Sequence, residues 1–301
     1  MNRLALLLCL LPGVVLAGSS ANDPPIAAYR STVSEVRVTF FTTDENNHPV
    51  ASVQKDDFAI VDGDTVVRQF RSLTRSDETS LDVVVLLDTS ESVAPRFPAT
   101  RNDVLQLVSQ KQIAADDNIS ILSFAGMQPS VLCTRNCRSS DAEQRLHAVR
   151  PAGATPLFDA LAYGADFISR RQTPGVRPVL VLFSDGDDTI SKTSARDALR
   201  AVIASGALLY AIDMTQPGSD SRGSAALEQM AEATGGRYFS MRDGAANVLQ
   251  AALEDLHASY VVTYHLPSPE AGFHSLRILP KHNLNLRFHC RSGYYYGNDI
   301  P

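Results

Sequence analysis

Four apolar runs, rich in leucine and β-branched residues, recur through the middle of the chain. They are Leu81–Leu87, Ile119–Phe124, Val179–Phe183 and Ala207–Ile212. A continuous apolar run of this length is typical of a strand that is buried on both faces. Helical patterning occupies the segments around Val104–Gln112, Glu143–Val149, Leu157–Arg170, Ala195–Ala204, Ser224–Ala233 and Ala245–Ala258. This alternation predicts an α/β fold, in which a doubly wound, mostly parallel sheet is built from residues 81–259.

The segments on either side of this block have β patterning instead. In the first, Val36, Val38 and Phe40 alternate with polar residues, and Asp62-Gly63-Asp64 marks a hairpin turn. The last part of the chain has three short candidate strands, at Tyr260–Tyr264, Leu276–Leu279 and Leu284–Phe288. Either segment alone is too small for a stable core. We therefore expect residues 29–80 and 260–301 to pack together into a small β-sandwich-like module.

The N-terminus has the layout of a secretory signal peptide. Arg3 precedes the apolar run Leu4–Leu11, and Val15 and Ala17 supply the compact residues of a cleavage site. A membrane anchor is the alternative, but the run is short for a bilayer span. We expect residues 1–17 to be the signal peptide and residues 18–28 to be a flexible leader. The mature protein would then be secreted or reside in the periplasm or cell envelope, with no membrane span.

Charge and cysteine content narrow the possible functions. The net charge of −6 argues against a nucleic-acid partner. Export places the protein where disulfides persist, so we expect Cys133 and Cys137 to be bridged and Cys290 to remain a thiol. Three free thiols in the mature protein are the alternative.

Candidate chemistry lies at the ends of the predicted strands. Asp88-Thr89-Ser90-Glu91-Ser92 follows the first apolar run, Thr155 precedes a predicted helix, and Asp185 follows the third run. Taken alone, each fits a turn or helix cap. Together they lie on the edge of the sheet where α/β proteins bind ligands. Their hydroxyl and carboxylate oxygens form a donor set that suits Mg²⁺, Mn²⁺ or Ca²⁺.

These three elements resemble the metal-ion-dependent adhesion site, or MIDAS, of von Willebrand factor type A (VWA) domains. The resemblance implies that Ser90, Ser92 and Thr155 supply hydroxyl ligands, while Asp88 and Asp185 supply carboxylates. The chain also resembles the VWFA-related proteins abundant in Acidobacteria, through Asp57-Phe58 with Asp62-Gly63 and through Gly293-Tyr294-Tyr295. Glu91 departs from the family pattern, which often has a small residue between the two serines.

The resemblance implies a protein-binding or adhesion module that captures a carboxylate of a partner protein through a bound cation. Two other functions remain open: a scaffold stabilised by the metal, and a metal-assisted hydrolase. We expect no catalytic residues, because no general base can be named beside the site. Asp187 and Asp188 either tune the metal or form a solvated turn. The histidines His265, His274, His282 and His289 are expected to be surface residues.

Overall fold

The computed structural model describes residues 34–50, 52–75, 80–109, 117–134, 137, 139–215, 222–240, 254–256 and 258–297. The predicted signal peptide and leader lie outside the described residues, as does most of the predicted helix Ala245–Ala258. The strands are β1 (Glu35–Thr43), β2 (Phe58–Asp62), β3 (Thr65–Val67), β4 (Ser72–Arg75), β5 (Leu81–Asp88), β6 (Asn118–Phe124), β7 (Ser130–Cys133), β8 (Arg177–Ser184), β9 (Leu208–Asp213), β10 (Tyr238–Ser240), β11 (Tyr260–His265), β12 (Gly272–Pro280), β13 (Arg287–Cys290) and β14 (Gly293–Tyr296). The helices are α1 (Phe97–Ser109), α2 (Ser139–Ala148), α3 (Leu157–Ser169), α4 (Ala195–Ser205) and α5 (Arg222–Thr234).

The central sheet has six strands in the order β10-β9-β8-β5-β6-β7. All neighbouring pairs are parallel except the edge pair of β6 and β7. One face packs against α1 and α2, and the other against α3, α4 and α5. Helices on both faces explain why every residue of β5 and β9 is buried. The predicted α/β fold class is confirmed.

The chain's flanking segments form two four-stranded antiparallel sheets, in the orders β13-β1-β11-β4 and β14-β12-β2-β3. Their inward faces share one core, in which the rings of Phe40 and Phe58 lie 5.2 Å apart. Each sheet combines early and late strands, since β1 pairs with β11 and β2 pairs with β12. The predicted sandwich of N- and C-terminal strands is therefore confirmed.

Some local predictions were wrong. The strand predicted at Leu284–Phe288 begins only at Arg287, because β1 pairs with β13 no earlier than that residue, and Leu284 is 76% exposed. His274 and His289 are half-buried rather than exposed surface residues. The ring of His274 stacks on Tyr294, and the ring of His289 stacks on Phe41 and is hydrogen-bonded to a threonine hydroxyl. Each histidine lies directly opposite its aromatic partner on the neighbouring strand, so the partner's ring covers one face of the imidazole.

Cys133 and Cys137 form a disulfide, as predicted, at the end of edge strand β7. Cys290 is a free thiol in β13, and burial raises its pKa to about 11. Within the described ranges, no helix has the length and apolar character needed to cross a membrane.

The order of strands in the central sheet reverses at β5. The chain passes from β5 to β6 on one side and later returns to β8 on the other, so the order reverses at β5. In open α/β sheets, ligands bind outside the carboxyl ends of the strands at such a reversal. Asp88 ends β5 and Ser184 ends β8, and the two strands run side by side in parallel register.

Candidate metal centre

The first loop of the site is a tight turn that follows β5. The backbone N–H of Ser90 donates to Asp88 Oδ1 over 2.9 Å, which is the local bond by which an aspartate fixes a turn. The turn brings the hydroxyls of Ser90 and Ser92 within 3.1 Å of each other. Asp88 and Ser90 are buried, with 0% and 1% of their surface exposed, whereas Ser92 is exposed. The loop therefore presents a row of oxygens that runs from the interior to the surface.

A buried serine, which the sequence analysis missed, connects this loop to β8. The hydroxyl of Ser184 donates to Asp88 Oδ2 over 2.7 Å and accepts the backbone N–H of Gly186 over 3.1 Å. It thus holds the aspartate carboxylate and the start of the Asp185 loop in one network. The signal in the sequence was its position, directly before Asp185 at the end of an apolar run.

Thr155 lies on a third loop, just before α3, and it is buried. This loop is bonded to both of its neighbours. The Gly153 carbonyl accepts the N–H of Glu91 over 3.0 Å, and the Thr155 carbonyl accepts the N–H of Thr189 over 2.9 Å. These backbone bonds hold the three loops that carry the candidate ligands together at one edge of the sheet.

The carboxylates of the site lie in an environment of unbalanced negative charge. Burial raises the pKa of Asp88 to about 6; hydrogen bonds from Ser90 and Ser184 oppose this shift, and the charge of Asp185 adds to it. The pKa of Asp187 is also raised, first by burial and then by the charges of Asp185 and Asp213. Among the described residues, no ion pair involves Asp88 or Asp185.

The Asp185 loop also rests directly on the first turn of α5. Gly186 has φ +80°, and a Cβ added to it would lie 2.3 Å from the Gly223 carbonyl oxygen. A Cβ on Gly223 would in turn lie 2.3 Å from the Asp185 carbonyl oxygen. Because neither position has room for a side chain, the two glycines set how closely helix and loop approach.

Other acidic residues of this edge serve the fold or face solvent. Asp188 accepts the hydroxyl of Ser191, while Glu91 and Asp187 are exposed. Asp213, at the end of β9, was also missed by the sequence analysis, and it accepts bonds from Thr215 N, Ser224 Oγ and Tyr238 OH at 2.6–2.7 Å. The part of the chain that is described holds no cluster of three or more histidine, cysteine or acidic side chains arranged for a metal ion. The candidate site instead combines two carboxylates with hydroxyls.

Comparison with other proteins shows what the chain as a whole is similar to. The chain is 26% identical over 208 residues to the magnesium-chelatase 67 kDa subunit of Chlorobaculum parvum. This match covers 63% of this chain and 32% of that subunit. It is 24% identical over 194 residues to the magnesium-chelatase 60 kDa subunit of Rhodobacter capsulatus, covering 60% of this chain and 34% of that subunit. The match thus spans about a third of the length of these curated relatives.

Solved structures with similarity include an aerotolerance-related membrane protein from Bacteroides fragilis, at 20% identity and a TM-score of 0.46, covering 59% of this chain and 98% of that one. Another is proximal thread matrix protein 1 from the mussel byssus with a zinc-occupied MIDAS motif, at 16% identity and a TM-score of 0.48, covering 62% of this chain and 50% of that one. The profile of the von Willebrand factor type A domain matches residues 82–255, more than half of the sequence. The chain therefore belongs to the von Willebrand factor type A domain family.

Proposed function

We propose that this chain is an exported, metal-dependent protein-binding module. A divalent cation, Mg²⁺ or else Mn²⁺ or Ca²⁺, would be held by Asp88, Ser90, Ser92, Thr155 and Asp185. The observation that carries the proposal is the fully buried Asp88 carboxylate at the reversal of strand order, next to two serine hydroxyls 3.1 Å apart.

The donor set fits a hard cation. Each of the five side chains offers oxygen, which Mg²⁺, Mn²⁺ and Ca²⁺ prefer over nitrogen or sulfur. A buried carboxylate without a positive partner is costly, and no described ion pair reaches Asp88. A cation at this edge would offset that cost and the repulsion from Asp185.

Some groups of the site fix the position of the Asp88 carboxylate, and others lie open to solvent. Ser184 fixes one oxygen of Asp88, and the Ser90 N–H fixes the other. Ser92 is exposed and Asp185 is partly exposed, so the outer side of the site faces solvent. When bound, the cation would supply a positive centre able to accept a carboxylate from a partner protein.

Two other functions make different predictions. A scaffold would bind the metal but would capture partners equally well without it. A hydrolase would need a positioned base, and we propose that the chain is not an enzyme. The chelatase activity of the curated relatives is not transferred, because the match covers about a third of their length.

Calorimetric titration with Mg²⁺ and Mn²⁺ tests the site itself. We expect Asp185→Ala to abolish binding, because it removes a carboxylate that balances the cation. Asp187→Ala is the matched control, since it removes an exposed carboxylate two residues away and should lower affinity only a few-fold. Thermal unfolding of both variants checks that the fold survives. If wild type and Asp185→Ala bind Mg²⁺ and Mn²⁺ with equal affinity, the metal-site proposal is refuted.

Capture of a partner is tested separately, by pull-down from the envelope fraction of the native host with and without EDTA. We expect capture to require the metal and to be lost in Asp185→Ala. Metal binding combined with EDTA-insensitive capture would support the scaffold instead.

Export is a further part of the proposal, and it rests on Arg3 and the apolar run Leu4–Leu11. We expect N-terminal sequencing of protein from the native host to begin near Gly18. An intact Met1 would contradict export by cleavage and leave the membrane-anchor alternative.

A further inference from the structure

Two loops flank the candidate metal centre, and each carries an exposed large apolar side chain. The strand order β8-β5-β6 places Asp88, at the end of β5, between the loop after β8 and the loop after β6. Met127 is 82% exposed in the turn between β6 and β7, and Ile190 is 41% exposed in the segment after β8. Turns favour small polar residues, so two large apolar ones beside a single site require a separate explanation.

Backbone bonds fix both loops to the segment that carries Thr155. The N–H of Gly126, which precedes Met127, donates to the Ala154 carbonyl oxygen over 2.8 Å. From the other side, the N–H of Ile190 donates to the Thr155 carbonyl oxygen over 3.4 Å. Both apolar residues therefore lie on the rim of the candidate site, and together we call them the apolar rim.

The same edge also carries exposed acids. Glu91 lies between the two serines of the first loop, and Asp187 lies two residues after Asp185. Among the described residues, neither Glu91 nor Asp187 takes part in an ion pair. A bound cation attracts one carboxylate, whereas these acids repel any further negative group that a partner brings. The charges thus favour a partner segment with a single acid over one with several.

We propose that the group captured at this site is a lone carboxylate whose neighbours in the partner chain are large and apolar, and that Met127 and Ile190 bind those neighbours. The inference rests on the proposed metal-dependent capture, and it adds the class of protein segment that is selected. The cation attracts every carboxylate alike, whereas the apolar rim discriminates among them by burying the side chains alongside. Methionine suits this role, because its flexible thioether side chain adapts to apolar groups of different shape.

Calorimetry on the full chain with Mg²⁺ present tests the inference with four pentapeptides whose termini are blocked. Gly-Leu-Glu-Leu-Gly has the proposed chemistry, and Gly-Ser-Glu-Ser-Gly keeps the carboxylate without apolar neighbours. Gly-Leu-Gln-Leu-Gly keeps the apolar neighbours alone, and Gly-Glu-Glu-Glu-Gly replaces them with acids. We expect the first peptide to bind about tenfold or more tighter than each of the others, and EDTA to abolish its binding.

Variants of the apolar rim identify the residues responsible. Met127→Gln keeps the length of the side chain and Ile190→Thr keeps its β-branching, while both remove apolar surface. The double variant should bind Gly-Leu-Glu-Leu-Gly about tenfold more weakly than wild type does and should bind Gly-Ser-Glu-Ser-Gly unchanged. Leu284→Gln is the matched control, because Leu284 is 76% exposed in the sandwich, between β12 and β13, and it should bind both peptides like wild type. Thermal unfolding and Mg²⁺ titration check the fold and the metal site.

The outcomes separate this inference from the proposed function. Equal binding of the two peptides with a single glutamate, or equal behaviour of the double variant and Leu284→Gln, would overturn the inference and leave carboxylate capture intact. Tightest binding of Gly-Glu-Glu-Glu-Gly would overturn it in favour of a polyacidic partner. Binding of no peptide, while EDTA-sensitive capture persists in the pull-down, would also overturn the inference alone. If Gly-Leu-Gln-Leu-Gly binds as tightly as Gly-Leu-Glu-Leu-Gly, carboxylate capture itself is refuted.

Discussion

The contact between Gly186 and Gly223 offers a sharp test of how the Asp185 loop is held. Each glycine would place an added Cβ 2.3 Å from a backbone carbonyl oxygen of the other segment. Ordinary contact begins near 3.4 Å, so the two segments would have to separate by about 1 Å. Because both obstacles are backbone atoms, no side-chain rotation can relieve the overlap.

Three alanine variants separate this contact from backbone strain. Gly175→Ala introduces strain alone, since Gly175 has φ +84° and nothing within 4 Å of its Cβ position. Gly223→Ala introduces the contact without a positive φ, and Gly186→Ala combines the contact with φ +80°. Gly175 and Gly186 are therefore matched in backbone conformation and differ in space.

The expected losses follow from these differences. A non-glycine residue in the left-handed region costs about 1–2 kcal/mol, which is the whole expected effect of Gly175→Ala. Overpacking adds about 1–3 kcal/mol, so Gly186→Ala should lower the free energy of unfolding by about 2–5 kcal/mol. For Gly223→Ala, the overpacking loss is offset by about 1 kcal/mol, because alanine has the better helix propensity, and the net loss is about 0–2 kcal/mol.

Urea unfolding of the four proteins measures these losses, and Mg²⁺ calorimetry provides a second readout. Gly223→Ala should weaken metal binding more than its small stability loss implies, because it moves the backbone of a proposed ligand. Gly175→Ala should leave metal binding unchanged. If Gly186→Ala and Gly175→Ala lose equal stability, the close approach does not constrain the loop and the reasoning fails.

Three further predictions concern the rest of the fold. Burial, aided by Arg237 and Arg287, lowers the pKa of His289 from 6.5 to about 4, so the unfolded chain binds more protons than the folded chain between these pH values. Relative to His289→Gln, wild type should therefore lose up to about 2 kcal/mol of unfolding free energy from pH 7.5 to pH 5, and a pH-independent difference would refute this. Replacing Cys133 and Cys137 by serine should cost about 2 kcal/mol or less, measured by urea unfolding, because the closed loop is short. Deleting residues 260–301 removes the partners of β1 and β2 and should expose residues 34–75 to proteolysis; protection unchanged from wild type would count against a shared module.

The parts of the fold that could be predicted from sequence are those with uniform patterning. The buried parallel strands were located within two residues, because helices on both faces demand continuous apolar runs. Short edge strands such as β10 have little patterning of their own. They form because a neighbouring strand offers backbone partners, as β9 does for Tyr238–Ser240, and that information is not local in sequence.

The residues of the candidate site also differ in whether local sequence could identify them. Asp88, Ser90 and Ser92 could be found because their spacing is local, and a tight turn brings them together. Ser184 could not be assigned, because its role depends on the Asp88 carboxylate, 96 positions earlier in the chain. The packing of Gly223 on Gly186 likewise connects a helix terminus to a loop that no sequence spacing relates.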